Sequence, residues 1–224
     1  MGGRQKRALA IVSSVPGLYR TAEEKLQLET RNGAIQFLAV LHYAGEWKNG
    51  ECRLTPELLR EFQRLAVNQI YTCAGTFRDG PVWIQGVRHQ PPPQEEVPHL
   101  VDEMCEYVHG NWVSPAIHLS AYLMWRINWI HPFFGGNGRT ARATAYLIMC
   151  ARLGFTLPGT PTIPDLIVAD RDPYFHALRA SDDAWERGSL DLTEMESLMS
   201  SLLAQQLVAI HQQATGKSDP PVAL

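Results

Sequence analysis

Apolar side chains recur at helical spacing over most of this chain, and the gaps between the periodic runs predict where its helices end. Thr21 before Glu23 and Glu24 reads as a cap followed by an acidic first turn, which predicts a helix from Ala22 to His42 with Gly33 as an interior weak point. A polar loop from Glu46 to Glu51, containing Asn49-Gly50, precedes a second helix opened by Thr55-Pro56-Glu57. Leu58, Leu59, Phe62, Leu65, Ala66 and Ile70 form its apolar stripe. Val97, Leu100, Val101, Met104 and Val108 space a third helix from Glu95 to His109, which Gly110-Asn111 ends. Ser114-Pro115 opens a fourth, with Ile117, Ala121, Met124, Ile127 and Ile130 along one face, and a fifth runs from Arg139 to Leu153 before Gly154. Phe155 to Asp165 is proline-rich and reads as irregular. Two more helices follow, from Pro173 to Arg187 and from Leu192 to His211.

Between Ala74 and Pro93 the helical period lapses. Phe77-Arg78-Asp79-Gly80 is a turn signal, and Val82-Trp83-Ile84-Gln85-Gly86-Val87 is β-prone around a glycine, which predicts a short hairpin. The pattern as a whole predicts an all-α domain. Its divisions are a frayed start over residues 1–20, a domain over 21–206 made of an N-terminal helix (21–44) and a core (54–206), and a helix end with a mobile polar tail over 207–224.

Composition excludes more than it assigns. With 45% hydrophobic and 19% charged residues the chain has enough apolar surface for one well-buried domain. A net charge of −3 supplies no electrostatic footprint for nucleic acid or an anionic membrane, so neither is an expected partner. No segment reaches transmembrane length, and the apolar run Ala8 to Val12 is too short for a secretory signal. Cys52, Cys73, Cys105 and Cys150 lack metal-ligand spacing and fall in or beside apolar segments, which fits reduced core residues of a cytoplasmic protein.

The chemistry is concentrated in His131-Pro132-Phe133-Phe134-Gly135-Gly136-Asn137-Gly138-Arg139-Thr140-Ala141-Arg142, between two apolar-periodic segments. His131 is the candidate general base, since imidazole titrates nearest neutrality. Pro132 ends the preceding helix, and Phe133 is suited to plug the core and anchor the loop. Gly136, Asn137 and Gly138 tolerate positive φ and run into a helical pattern, so their N–H groups can converge on an anion at a helix N-terminus. Arg139 and Arg142, three apart, share a helix face and suit phosphate oxygens. Each feature alone is common in structural loops. Together, no packing requirement asks for a base, glycines and paired cations.

This stretch resembles the signature of the Fic (filamentation induced by cAMP) family, His-Pro-Phe-x-Asp/Glu-Gly-Asn-Gly-Arg-x-x-Arg, at every defined position but one. The exception is Gly135, where the family carries the acidic ligand of a Mg²⁺ ion. The loop itself therefore supplies no metal ligand, and Mg²⁺ enters only if an acidic residue from elsewhere holds it. The resemblance runs from about Ala22 to Gln206 and implies an all-α Fic-like helical bundle with a small β-hairpin flap. It also implies transfer of a nucleotidyl group, most often AMP from ATP, to a Ser, Thr or Tyr hydroxyl of a protein substrate. In that reaction His131 would take the hydroxyl proton. Gly136, Asn137 and Gly138 would stabilise phosphate charge, Arg139 and Arg142 would hold the outer phosphates, and Phe133 would anchor the loop. The flap residues Val82, Trp83, Ile84, Gln85, Gly86 and Val87 would pair with the target backbone, and Tyr174 is a candidate contact for the base. Many members also carry a Ser/Thr-x-x-x-Glu-Gly/Asn helix whose glutamate blocks the nucleotide site. Here the resembling stretch, Leu28-Glu29-Thr30-Arg31-Asn32-Gly33, sets Asn32 at that glutamate's position and implies that the built-in brake is lost. A homo-oligomer or a separate regulatory partner would then supply control. Two other readings stay open: a transferase using another phosphate-containing donor, and a member that binds nucleotide or protein without catalysis.

Overall fold

Thr21 accepts a hydrogen bond from the Glu24 N–H at 3.0 Å and caps a helix from Ala22 to Glu46, α1. The helix passes through Gly33 and beyond His42, where the sequence predicts its end, and closes with the Trp47 N–H on the Tyr43 carbonyl. The computed structural model describes residues 11–12, 16–47, 54–84 and 86–216. Most of the expected 46–51 loop, and Cys52, lie outside these. Thr55 and Pro56 cap and open α2, Pro56–Val67, as their order predicts.

The remaining helices are α3 (Val97–Gly110), preceded by a 3₁₀ turn at Gln94–Glu96, α4 (Ala116–Ile130), α5 (Asn137–Leu153), α6 (Ile163–Ala169), α7 (Asp172–Glu186) and α8 (Thr193–Thr215). Two of these correct the sequence reading. Helix α6 begins inside the stretch read as irregular and runs on past it, because Thr162 and Asp165 form a reciprocal capping box around its first turn. Helix α8 continues to Thr215, past the expected start of the tail at Gln212.

The antiparallel pair α4 and α5 packs most extensively and lies at the centre, with α1 and α2 against α5 and with α7 and α8 against α4. Both central helices are buried on nearly every face; α4 is apolar nearly all round, whereas α5 buries small residues such as Ala141, Thr144 and Ala145 among its apolar ones. Ser120 Oγ donates to the Ala145 carbonyl at 3.0 Å and satisfies one of the few polar groups between them. One apolar core runs from Val40 in α1 to Leu202 in α8 and includes Phe62, Met104, Trp125, Phe133 and Tyr146.

The expected local hairpin is not formed. A two-residue strand, β2 (Trp83–Ile84), pairs antiparallel with β1 (Ile11–Val12), Ile11 opposite Ile84 and Val12 opposite Trp83. After β2 the chain turns at Gly86, with φ +79°, and enters Pro91-Pro92-Pro93. Prolines have no N–H to donate to a ladder, so no second arm follows from the local sequence. Residues 16–20, expected to fray, are tied down. The Leu18 N–H donates to the Ile70 carbonyl at 2.9 Å, and Gly17 bridges Tyr71.

Candidate active site

Helix α4 ends in His131, whose backbone adopts the left-handed conformation (φ 50°, ψ 58°) with its N–H on the Ile127 carbonyl. That conformation is uncommon for a residue with a Cβ and persists only where the surroundings over-determine it. Arg78 is one such constraint. Its buried guanidinium donates to the carbonyls of His131 (2.8 Å), Ile130 (3.3 Å), Gly80 (3.2 Å) and Pro92, while its own N–H donates to the Pro132 carbonyl at 2.9 Å. The end of α4 is thus capped from the segment that leads to β2.

Asn137 cinches the loop on itself. Its Oδ1 accepts from the Phe133 N–H at 3.0 Å and its Nδ2 donates to the Phe133 carbonyl at 2.7 Å. Phe133 is fully buried against Phe77, ring centres 5.4 Å apart, and Phe134 packs beside Gly80. Burial of Phe133 contributes about 2 kcal/mol to holding the loop. Gln63 adds a long-range tie: its Nε2 donates to the Gly135 carbonyl at 3.0 Å and its Oε1 accepts from the Gly75 N–H at 2.6 Å. Gly136, at φ +83°, is the residue before α5, and a Cβ there would stand 2.7 Å from Val67 Cγ1. Only glycine meets both demands.

The His131 imidazole is buried, with Nδ1 3.3 Å from the Asn128 carbonyl. A carbonyl only accepts, so Nδ1 carries the proton and Nε2 presents a lone pair. Nε2 is buried and makes no hydrogen bond among the described residues. Burial pushes the imidazole pKa down to about 4, opposed by the Asn128 carbonyl and assisted by the positive charge of Arg78 and by His89. The ring is neutral at physiological pH and free to accept a proton.

Arg139 and Arg142 start α5 but face different neighbours. Arg139 Nη1 donates to the Ala66 carbonyl at 2.9 Å, and its Nη2 lies 3.5 Å from Glu29 Oε1 of α1. Arg142 Nη1 stands 3.4 Å from where a Gly138 Cβ would be, with Asn128 Oδ1 also close. Among the described residues Arg142 makes no hydrogen bond or ion pair. Burial pulls both guanidinium pKa values below their usual range, and at Arg142 the positive charges of Arg171 and Arg139 push the same way. Largely buried cations beside the N–H groups opening α5 are the chemistry that suits an anion at a helix end.

Three expectations need correction. Asn32 does not face the arginines. It is buried, and its Nδ2 donates to the Asn68 carbonyl at 2.7 Å. The α1 carboxylate that reaches the loop is Glu29, one helical turn earlier, and it meets Arg139. Tyr174 presents no ring face for a base: it is 3% exposed, its hydroxyl accepts from Asn128 Nδ2 at 2.8 Å, and burial raises its pKa to about 12. Of the flap residues, Val82 is buried, Trp83 is 58% exposed and Gly86 turns the chain, while Gln85 lies outside the described residues. Arg78, Gln63, Tyr71 and Glu29 were missed. Their contacts join positions far apart in the chain, and the only local signal was the Ala74-Gly75-x-x-Arg78 spacing.

The position of the signature's acidic metal ligand is filled. A Cβ on Gly135 would lie 2.7 Å from Tyr71 Cε2 and 3.3 Å from Cδ2, and among the described residues no group of three His, Cys, Asp or Glu side chains could hold a metal. The residues present do not fit a loop-bound Mg²⁺.

The model of the Fic/DOC family matches residues 53–149. A Fido domain-containing protein of Dictyostelium discoideum is 39% identical over 89 residues, which are 40% of this chain and 57% of that protein. The chain thus spans little more than half the length of this relative. Among solved structures, a Fic domain containing signaling protein from Bacteroides thetaiotaomicron superposes with a TM-score of 0.69 at 22% identity, over 90% of this chain and 78% of the other. Fic-1 from C. elegans gives 0.65 at 22%, over 88% and 54%. A Fic family protein from Desulfovibrio desulfuricans gives 0.61 at 19%, over 91% and 57%. At these identities the likeness is one of fold.

Proposed function

The chain belongs to the Fic/DOC family through its residues 53–149, and from that premise we propose that it transfers a nucleotidyl group, AMP from ATP, to a Ser, Thr or Tyr hydroxyl of a protein substrate. The observation that carries the reading is the buried, unpartnered Nε2 of His131 at the end of α4, taken with an Arg142 guanidinium that has no partner among the described residues and stands next to Gly138 at the opening of α5. A purely structural loop has no use for either group.

In this reading the nucleotide phosphates lie on the N–H groups of Gly136, Asn137 and Gly138, and Arg142 and Arg139 hold the outer oxygens. The target hydroxyl gives its proton to His131 Nε2 as its oxygen attacks the α-phosphorus. The bond from that phosphorus to the bridging oxygen breaks, and pyrophosphate leaves on the arginines. A positioned general base contributes roughly 10²- to 10⁴-fold to such a step, and fixed donors aimed at the phosphoryl oxygens stabilise the charge that builds there. The side chain of Asn137 has a different task, locking the loop through Phe133. For the target backbone to pair along β2 at the edge now held by the chain's own β1, β1 has to give way. We read the setting as cytoplasmic from the free thiols of Cys73 and Cys150. No described helix is long and apolar enough to cross a membrane.

Incubation with α-labelled nucleoside triphosphates, candidate proteins and the chain itself tests the proposal. Label should appear on a hydroxyl side chain with wild type and be absent with His131→Ala. Label transfer that persists in His131→Ala removes His131 as the base, and no transfer from any nucleotide to any target removes the proposed activity.

A further inference from the structure

We propose that this site takes its phosphate donor without a resident divalent cation, because Tyr71 occupies the room that a metal-bearing side chain at position 135 would need. The inference rests on the phosphate-site reading above and goes beyond it, to how the donor's charge is met.

The steric argument is direct. At 2.7 Å from Tyr71 Cε2 and 3.4 Å from Cζ, any Cβ at position 135 enters the ring, and an Asp or Glu would extend further in the same direction. The backbone on both sides is held. The Gly135 carbonyl is fixed by Gln63, and the next residue, Gly136, already touches Val67. Tyr71 is held by its N–H on the Val67 carbonyl at 3.3 Å, by its bridge to Gly17, and by packing with Ala66, Val67 and Ile70. The end of α2 and the chain after it thus lie against two consecutive glycines of the loop. Gly135 and Tyr71 form a matched pair: a side chain lost from the loop and a ring filling its place.

What replaces the metal's charge is on the other side of the loop. Arg142 has no partner among the described residues, and Arg139 is held by a carbonyl and by the longer contact to Glu29. Both are cations in a largely desolvated setting, where attraction for phosphate is stronger than in water. The ligand class is a nucleoside phosphate in its metal-free form, met by guanidinium groups and backbone N–H groups.

Calorimetric titration of the full chain with a non-hydrolysable ATP analogue, in EDTA and in excess Mg²⁺, tests this without reference to activity. Wild type should give dissociation constants within about twofold of each other; tightening of tenfold or more by Mg²⁺ overturns the inference. Gly135→Asp alone should lower the thermal midpoint and gain no Mg²⁺ dependence, whereas Gly135→Asp with Tyr71→Ala should recover stability and bind the analogue at least tenfold tighter with Mg²⁺. Gly135→Asp that is as stable as wild type and Mg²⁺-dependent by itself overturns the role given to Tyr71. If wild type binds the analogue in neither condition, the phosphate-site reading itself fails and takes this inference with it.

Discussion

His131 shows how far one residue's surroundings set its chemistry. Its left-handed backbone, the Asn128 carbonyl on Nδ1 and the buried Nε2 fix one tautomer, with the acceptor nitrogen free. With a pKa near 4 the base stays neutral through the physiological range, so the acidic limb of a kcat/KM profile should fall at about pH 4 to 5, well below that of a solvent-exposed imidazole. The sign for stability follows from linkage. Above the unfolded pKa of about 6.5 both states are neutral, and between there and about 4 the unfolded chain binds a proton that the folded site refuses. Stability is therefore lost as pH falls through that window. Denaturant titrations at pH 7.5 and 4.5 should show a smaller pH-dependent loss for His131→Asn than for wild type. Arg78 is a positioning residue, since it touches carbonyls at the end of α4 and no reacting atom. Arg78→Ala, which leaves those buried acceptors unmet, should cost about 3 kcal/mol in urea unfolding and lower kcat more than it raises KM. A loss under 1 kcal/mol with unchanged kcat removes that role.

Between elements, two contacts set what reaches the loop. Glu29 of α1 meets Arg139 at 3.5 Å, partly exposed, so it competes weakly with an incoming phosphate. Glu29→Gln should tighten nucleotide binding by about two- to fivefold in a calorimetric titration, while weaker binding shows the pair to be a support for Arg139 instead. The β1–β2 pair places the chain's own residues 11–12 along the edge offered to a target. The double change Ile11→Pro and Val12→Pro removes two backbone donors, and kcat/KM for a target peptide should rise. A fall makes β1 part of the docking surface. These contacts also mark the limit of sequence reading. Thr55-Pro56 and the run from His131 to Arg142 were legible because cap, turn and signature chemistry are local in the chain. The partner of Trp83–Ile84 was not, since a strand's pairing depends on a segment remote in sequence. Gln63, Arg78 and Tyr71 escaped for the same reason: each acts on the loop across a tertiary contact that no periodicity encodes. Helix α6 was hidden by its prolines, although Thr162 and Asp165 carried its cap in plain view.

Across the molecule, the α4–α5 pair links the loop from His131 to Gly136 to every other helix through one apolar core. Rigidity there is what allows a short loop to keep its base and anion site aligned. One core also implies one transition, so far-ultraviolet circular dichroism and tryptophan fluorescence should give coincident unfolding curves; separate midpoints show that α1 and α2 melt apart from the rest. The central claim is that a nucleotide phosphate bound at the start of α5 lies against an unprotonated His131 Nε2. The direct measurement is the ¹⁵N resonance of that imidazole, titrated with an ATP analogue in wild type and in Arg142→Ala. The account predicts an unprotonated Nε2 from about pH 5 to 8 whose shift moves on binding in wild type and far less in Arg142→Ala. A protonated Nε2 at neutral pH, or a resonance that no nucleotide moves, contradicts it.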